Sequence, residues 1–445
     1  MKYYNLMFIV ILMATGCSVQ EKFNPQVSFY NDNSLLPAIS FSSSDSNAYV
    51  IKYWPDGEPD KAQQSGLSTG TEHKIVLTHV TPATTYHYLI QSQSTKQISD
   101  SLTFQTKELP FDIVSIKKQN IKSNVFDGYI LIRRWAPVGS DVIINNEGNI
   151  VWYHLYDAAV RRPFTWTNRN SVLSVYDSAQ IVEYDLKANK LMDLKLEDYD
   201  IPNMLHHEIL YNSSGDIVAL THDSVKMDLR RLGMGANQFV RADGLIVLDK
   251  KGILKWKWNL LDVYNPLDFP TRQINLKQSV GHANSVAIGK DGHYIISFRD
   301  FSQLWKINAS DGSVIWKLGE GGDFKMDVDE YFMRQHAIHF NAKGELMMFD
   351  NGDRKLRPNS RVLSLVIDES SKQARISINV SLPTELSADK MCSAEMIENG
   401  KYLVCTSKKN GILTVVNDNA EVLWRVDLTS PSYRAYYLSN PFTPN

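Results

Sequence analysis

Four hairpin patterns in this chain open on a residue that can do chemistry. They begin His207-Glu-Ile-Leu, His282-Ala-Asn-Ser, His336-Ala-Ile-His and Cys392-Ser-Ala-Glu, and they turn at Gly215, Gly292, Gly344 and Gly400. A two-residue turn at 214–215 sets His207 opposite His222, and the same arithmetic sets His336 opposite Asn351 and Cys392 opposite Ser407. The second hairpin is two residues longer, so a four-residue turn at 289–292 sets His282 opposite Arg299. Each histidine stands at the end of its hairpin away from the turn. Strand pairing requires no histidine there, so three at equivalent ends point to one shared site. His206 adjoins His207, and the register favours His207. His73, His79, His87 and His154 read as surface or turn residues, and His293 and His339 as peripheral.

Three imidazoles could hold Zn²⁺ or Cu²⁺. Arg299 argues against an ion, because it would place a permanent cation beside the metal. A guanidinium among imidazoles suits a tetrahedral anion such as sulfate or phosphate, held by charge-assisted hydrogen bonds. Neutral imidazole can also serve as nucleophile, or as acid and base near neutral pH. The set therefore reads as group transfer from an anionic ester, with no metal and no cofactor. The sequence contains neither a phosphate-cradling glycine loop with its lysine nor an Asp-rich Mg²⁺ cage.

Residues up to 129 apart in sequence (207 to 336) can meet only if a repeated element brings them together. Such a repeat is visible from residue 109 onward. Gly148-Asn-Ile-Val-Trp152, Gly252-Ile-Leu-Lys-Trp256, Gly312-Ser-Val-Ile-Trp316 and Ala420-Glu-Val-Leu-Trp424 share a strand start, with tryptophans 104, 60 and 108 residues apart. The two long gaps each leave room for a unit without its tryptophan, ending near 190–194 and 374–378. Six units of short strands predict an all-β fold, a six-bladed β-propeller over residues 109–445. Residues 26–108 alternate short apolar stretches with polar turns, as in a β-sandwich. Their Val80-Thr-Pro-Ala-Thr-Thr-Tyr86-His-Tyr88 resembles a fibronectin type III stretch, in which Tyr86 or Tyr88 supplies a corner hydroxyl.

The chain has 445 residues, 43% hydrophobic and 22% charged, which excludes wholesale disorder. Its 47 basic and 49 acidic residues give no support to a nucleic-acid partner. Lys2 precedes an apolar run, Leu6–Met13, far short of the about 20 residues a spanning helix needs. The run ends Ala14-Thr15-Gly16-Cys17, which resembles a bacterial lipobox. Residues 1–16 then read as a signal peptide, Cys17 as the lipidated residue and 17–25 as a tether. Ser18 in place of Asp favours the outer membrane of a Gram-negative envelope.

From residue 111 the chain resembles the bacterial arylsulfate sulfotransferases. The resemblance rests on His206-His207-Glu208, on His282-Ala-Asn-Ser with Ile-Ser-Phe-Arg299, on Gln335-His336, on Phe349-Asp350-Asn351-Gly352 and on Ser432-Tyr433-Arg434-Ala435. It implies sulfuryl transfer from an aryl sulfate donor to a phenolic acceptor, without a nucleotide donor, by a ping-pong route through a sulfohistidine. In that reading His336 is the nucleophile, His207, His282 and Arg299 surround the sulfuryl group, and Asn284 is a polar neighbour. His206, Thr406 and Tyr436 join the substrate pocket, with Tyr433 and Tyr437 as further aryl-stacking candidates. Cys405 is expected opposite Ala394, which makes Cys392 and Cys405 diagonal neighbours within reach of a disulfide. A homodimer is left open. The competing reading is a non-catalytic propeller lipoprotein acting as a scaffold, which needs no ring of histidines.

Overall fold

The computed structural model describes residues 23–442, except 95–97, 112, 114, 123, 136, 161–162, 200, 202–203, 269–279 and 409. The expected signal peptide, Cys17 and most of the tether lie outside the described residues. Secondary structure is all β apart from short 3-10 turns. Among the described residues no helix is long and apolar enough to cross a membrane.

Residues 26–105 form two antiparallel sheets. One pairs Gln26–Phe29, Pro37–Ser42 and Glu72–Val76, and the other joins Gln63–Gln64, Tyr49–Pro55, Thr85–Ser92 and Leu102–Gln105. Thr85–Ser92 buries every second residue, as a strand with one face on a core must. The Tyr86 hydroxyl, rather than that of Tyr88, accepts a hydrogen bond from the Thr81 amide five residues upstream (3.0 Å). His73 is not a surface residue: it is buried, stacked on Phe41 at 4.5 Å. Nor does packing stop at residue 108. One hydrophobic cluster runs from Leu35, Tyr49 and Phe104 through Ile130 and Val142 to Trp424 and Ala435.

From residue 116 six antiparallel sheets follow in succession. Each has four strands, and the sixth gains a fifth, Ile116–Asn120, from the start of the region. The first sheet is completed by the last strand of the chain, Ala435–Leu438, which pairs with Tyr129–Arg134. The leading strands of the sheets are Phe164–Trp166, Met204–Tyr211, Ala283–Ile288, His336–Phe340, Ser393–Glu398 and Ala435–Leu438. Each touches the next in series. Tyr436 closes the ring by donating to the Phe164 carbonyl (2.8 Å).

Outer strands are stapled to the neighbouring sheet by tryptophan. Trp152 Nε1 donates to the Leu186 carbonyl (2.6 Å), and Trp424 Nε1 to the Asn146 carbonyl (2.8 Å). In the third sheet that bond comes from Trp258 (to Gly312, 2.9 Å) rather than from the repeat residue Trp256, which is half-buried. In these three sheets the neighbour's turn carbonyl gives the buried indole N–H its acceptor, whereas the repeat residue Trp316 is buried with no acceptor for its N–H among the described residues. His154 also departs from expectation: it is a strand residue tilted against Tyr184 at 4.1 Å, and burial pushes its pKa down to about 4.

Candidate active site

Backbone conformation marks the site before any side chain is considered. His207 (φ 54°), His282 (φ 52°), Ala337 (φ 56°) and Cys392 (φ 80°) adopt left-handed φ in or just before four successive leading strands. Such a residue costs about 1–3 kcal/mol of local strain. Three of the four lie at or beside bulges, between Leu205 and Ile209, between Ala283 and Ser285, and between His336 and His339. A bulge bends the strand and re-aims the side chain next to it.

These bulges correct the register arithmetic. His222 pairs with Met204 rather than His207, and His336 pairs with Phe349 rather than Asn351. Cys405 pairs with Ser393 rather than Ala394. The turns at Gly215 and Gly344 are five-residue loops with a left-handed glycine, closed by Asn212 N–H to Asp216 O (2.9 Å) and Asn341 N–H to Glu345 O (2.9 Å). Each shifts its hairpin by one, and the bulge adds the remainder. Only the longer hairpin keeps the expected pairing near the site: Ala283 pairs with Phe298, and the Arg299 amide donates to the His282 carbonyl (3.1 Å).

The histidines nevertheless meet. The His207 ring lies 5.2 Å from His282 and 5.7 Å from Tyr433, and Tyr433 lies 6.4 Å from His336. Arg299 and His282 are close enough to depress the basicity of His336. The Arg299 guanidinium is held by Asp300 Oδ1 (2.7 Å) and the Asp389 carbonyl (3.2 Å). Asn284 is fully buried, donating to the Gln335 carbonyl (2.7 Å) and so tying the strand of His282 to that of His336.

His336 is 3% exposed. Its Nδ1 donates to Asn351 Oδ1 (2.6 Å), and Asn351 is itself oriented by its Nδ2 donating to the Ala388 carbonyl (2.8 Å). The amide oxygen accepts only, so the proton is fixed on Nδ1 and the lone pair on Nε2. Burial pushes the His336 pKa down to about 3, opposed by the Asn351 bond. The result is a neutral imidazole with one defined nucleophilic atom. Nε2 accepts the Met391 amide (3.2 Å), from a turn where Met391 and Cys392 are both left-handed.

Other expected pocket residues lie elsewhere. Thr406 is fully buried, its Oγ1 accepting the Lys408 amide (3.3 Å). Tyr436 is engaged at the ring closure, and Tyr433 takes the central place instead, donating to the Asn284 carbonyl (3.3 Å). His206 sits behind His207 at 3% exposure. Cys392 and Cys405 carry free thiols. Because Cys405 pairs with Ser393, its side chain and that of Cys392 fall on opposite faces of the sheet. Cys392 Sγ accepts the Ser407 amide (3.4 Å), and Cys405 Sγ approaches the Ser432 carbonyl (3.8 Å). His339 is not peripheral either, since burial holds its pKa down to about 4.

Sequence reasoning missed two features. Arg434 Nη1 binds both oxygens of Glu208 (2.9 Å each), joining the third sheet to the chain's last strand across 226 residues. Asp243 is fully buried opposite His222 on the next strand, and its Oδ2 accepts the Ala283 amide (2.7 Å). Asp243 stands two residues after Arg241 in its strand, so it left no distinctive signal in the sequence. Among the described residues, His206, His222 and Asp243 are the group whose donor atoms lie close enough to share an ion, within 4.8 Å. The His206 and His222 rings, however, lie face to face at 3.6 Å and 10°. An ion in the plane of one ring would lie well out of the plane of the other, so the lone pairs do not converge on a metal.

The sequence profile of the Arylsulfotransferase (ASST) family matches residues 89–412, about three-quarters of the chain and all of the histidine constellation. The chain belongs to that family. No curated protein matches it. Similar solved structures are distant, and too distant to carry an argument. A Bacteroides caccae protein of unknown function is 13% identical over 70% of this chain and 99% of its own, with TM-score 0.43. A catalytically inactive virginiamycin B lyase from Staphylococcus aureus, solved with Quinupristin, is 11% identical over 71% and 99%, with TM-score 0.35. BamB from Moraxella catarrhalis is 10% identical over 76% and 82%, with TM-score 0.29.

Proposed function

We propose that this family member transfers a sulfuryl group from an aryl sulfate to a phenol through a sulfohistidine at His336, without a nucleotide donor. The observation that carries the reading is the state of His336: neutral, with its proton fixed by Asn351, its Nε2 lone pair facing the Met391 amide, and His282 and Arg299 near enough to lower its basicity. Nε2 attacks sulfur in line, the sulfur–oxygen bond to the aryl group breaks, and the phenolate leaves. Arg299 and His282 hold the equatorial oxygens, a cationic cradle of the kind that stabilises transferring oxyanionic groups. His207 protonates the departing phenolate. In the return half-reaction it takes the proton of the acceptor phenol, whose oxygen attacks the sulfohistidine and restores His336. Attack requires the Met391 amide to release Nε2, and the same N–H can then donate to a sulfuryl oxygen. The ring of Tyr433, between His207 and His336, is placed to stack on the aryl group.

The same reading takes the six sheets as blades of a propeller and residues 26–108 as a sandwich module. It takes Cys17 as a lipid anchor in the outer membrane of a Gram-negative envelope. The test is transfer from para-nitrophenyl sulfate to phenol with no nucleotide added. Ping-pong kinetics are expected, and turnover retained by His336→Ala overturns the assignment.

A further inference from the structure

Three polar atoms behind the site lie buried without a well-aligned hydrogen bond: His206 Nε2, His222 Nδ1 and Asp243 Oδ1. All three face one another, with Asp243 Oδ1 at 3.4 Å from His206 Nε2 and 3.3 Å from His222 Nδ1. Neither contact has hydrogen-bond alignment, but a carboxylate oxygen only accepts, so a ring nitrogen packed 3.3–3.4 Å from it is favoured with its proton rather than with a second lone pair there. Burying a carboxylate uncompensated is costly; the Ala283 amide bonds Oδ2, and the two ring edges are the polar groups facing Oδ1. With its proton on Nε2, His206 presents Nδ1 as a lone pair. That atom lies 2.6 Å from His207 Nδ1, which must then be the donor.

We infer that Asp243, acting through His206 with His222 stacked on it, fixes the tautomer of His207 and makes it the proton carrier of the reaction. The inference rests on the sulfuryl-transfer reading. Asp243, His206 and His222 are positioning residues. The Nδ1 proton of His207 is committed to His206, and Nε2 is the ring nitrogen assigned to exchange a proton with a phenol oxygen. When Nε2 is protonated, the imidazolium charge is stabilised through His206 by the buried carboxylate. No proton leaves the chain itself, because burial keeps His206 neutral. The single proton moves between His207 Nε2 and the phenol oxygen, out in the first half-reaction and back in the second. His222 locks the plane of the His206 ring by lying against it at 3.6 Å.

The test is a series of aryl sulfates whose leaving phenols span low to high pKa, from para-nitrophenyl to para-cresyl sulfate. Asp243→Asn keeps the shape and removes the charge. His206→Asn keeps an acceptor near Nδ1 and cuts the link to Asp243. Each is expected to lower the ratio of poor-donor to good-donor rates about 10-fold or more, since general acid catalysis contributes about 10²–10⁴ and matters most for poor leaving groups. The double variant should be no worse than either single one, as for residues acting in one chain. An equal loss for every donor, or none, overturns the inference. A second readout needs no turnover. In ¹⁵N-histidine spectra recorded at a pH high enough to remove the Nε2 proton, His207 is expected as the Nδ1–H tautomer in the wild type and as a mixture in Asp243→Asn. An Nε2–H tautomer in the wild type, or no change in the variant, contradicts the relay. If the wild type transfers no sulfuryl group, the sulfuryl-transfer reading fails while these spectra still decide the tautomer.

Discussion

His336 leans on an amide, and His207 leans on a chain that ends in a carboxylate. Both are histidines at the start of leading strands, in sheets two places apart around the ring. Both have one ring nitrogen committed to a partner at 2.6 Å. The partners differ in charge. Asn351 fixes the tautomer of His336 and lends no charge, so the ring keeps its lone pair at any ordinary pH. That suits an atom that must attack sulfur. His206 and Asp243 fix the tautomer of His207 and also favour its protonated form, which suits a group that must carry a proton and return it. The same side chain is thus set to two tasks by what stands behind it.

The largest effect should come from removing the nucleophile. His336→Ala is expected to lower transfer by at least about 10³-fold, read as kcat with para-nitrophenyl sulfate. Making the two supports alike should show next. Asn351→Asp places a carboxylate against His336 and favours imidazolium, raising its pKa from about 3 toward the ordinary range. Activity of this variant should fall as pH drops through the raised value, moving the acid limb of the burst rate up by at least about one unit. An unmoved limb would break the contrast.

Stability should carry a smaller signature of the same burial. The folded pKa of His336 lies near 3, below the unfolded value near 6.5, so the unfolded chain binds the extra proton below pH 6.5. Its contribution is therefore fully present above pH 6.5 and is lost as pH falls toward 3, at about 1.4 kcal/mol per pH unit. Thermal melts should be flat above pH 7 and fall between pH 6 and 4, less steeply in His336→Ala. The least effect is expected at Thr406, which serves the fold: Thr406→Ala should cost about 1 kcal/mol in melts and leave KM unmoved.

Much of this site is legible in the sequence because hairpins repeat. The glycine turns place His207, His282 and His336 at the same end of their hairpins, and counting reaches the pairing of Ala283 with Phe298 because a bulge there cancels the extra residue in its turn. Counting fails at His207 and His336 because bulges insert residues there, and a bulge leaves no reliable trace in a single sequence. Asp243 was invisible for another reason. It acts from the third strand of its sheet, through a residue that counting set aside in favour of its neighbour, His207. Thr406 and Tyr436 were misplaced because alternation tells which face a side chain takes and not what already fills the space beyond it.

The most direct test of the contrast between the two histidines is the adduct itself. The protein, mixed briefly with an aryl sulfate in the absence of acceptor, should carry one acid-labile sulfuryl group, mapped by mass spectrometry to His336. It should be lost on adding phenol. A sulfuryl group found on His207 or His282, or no adduct in an enzyme that turns over, would contradict the account.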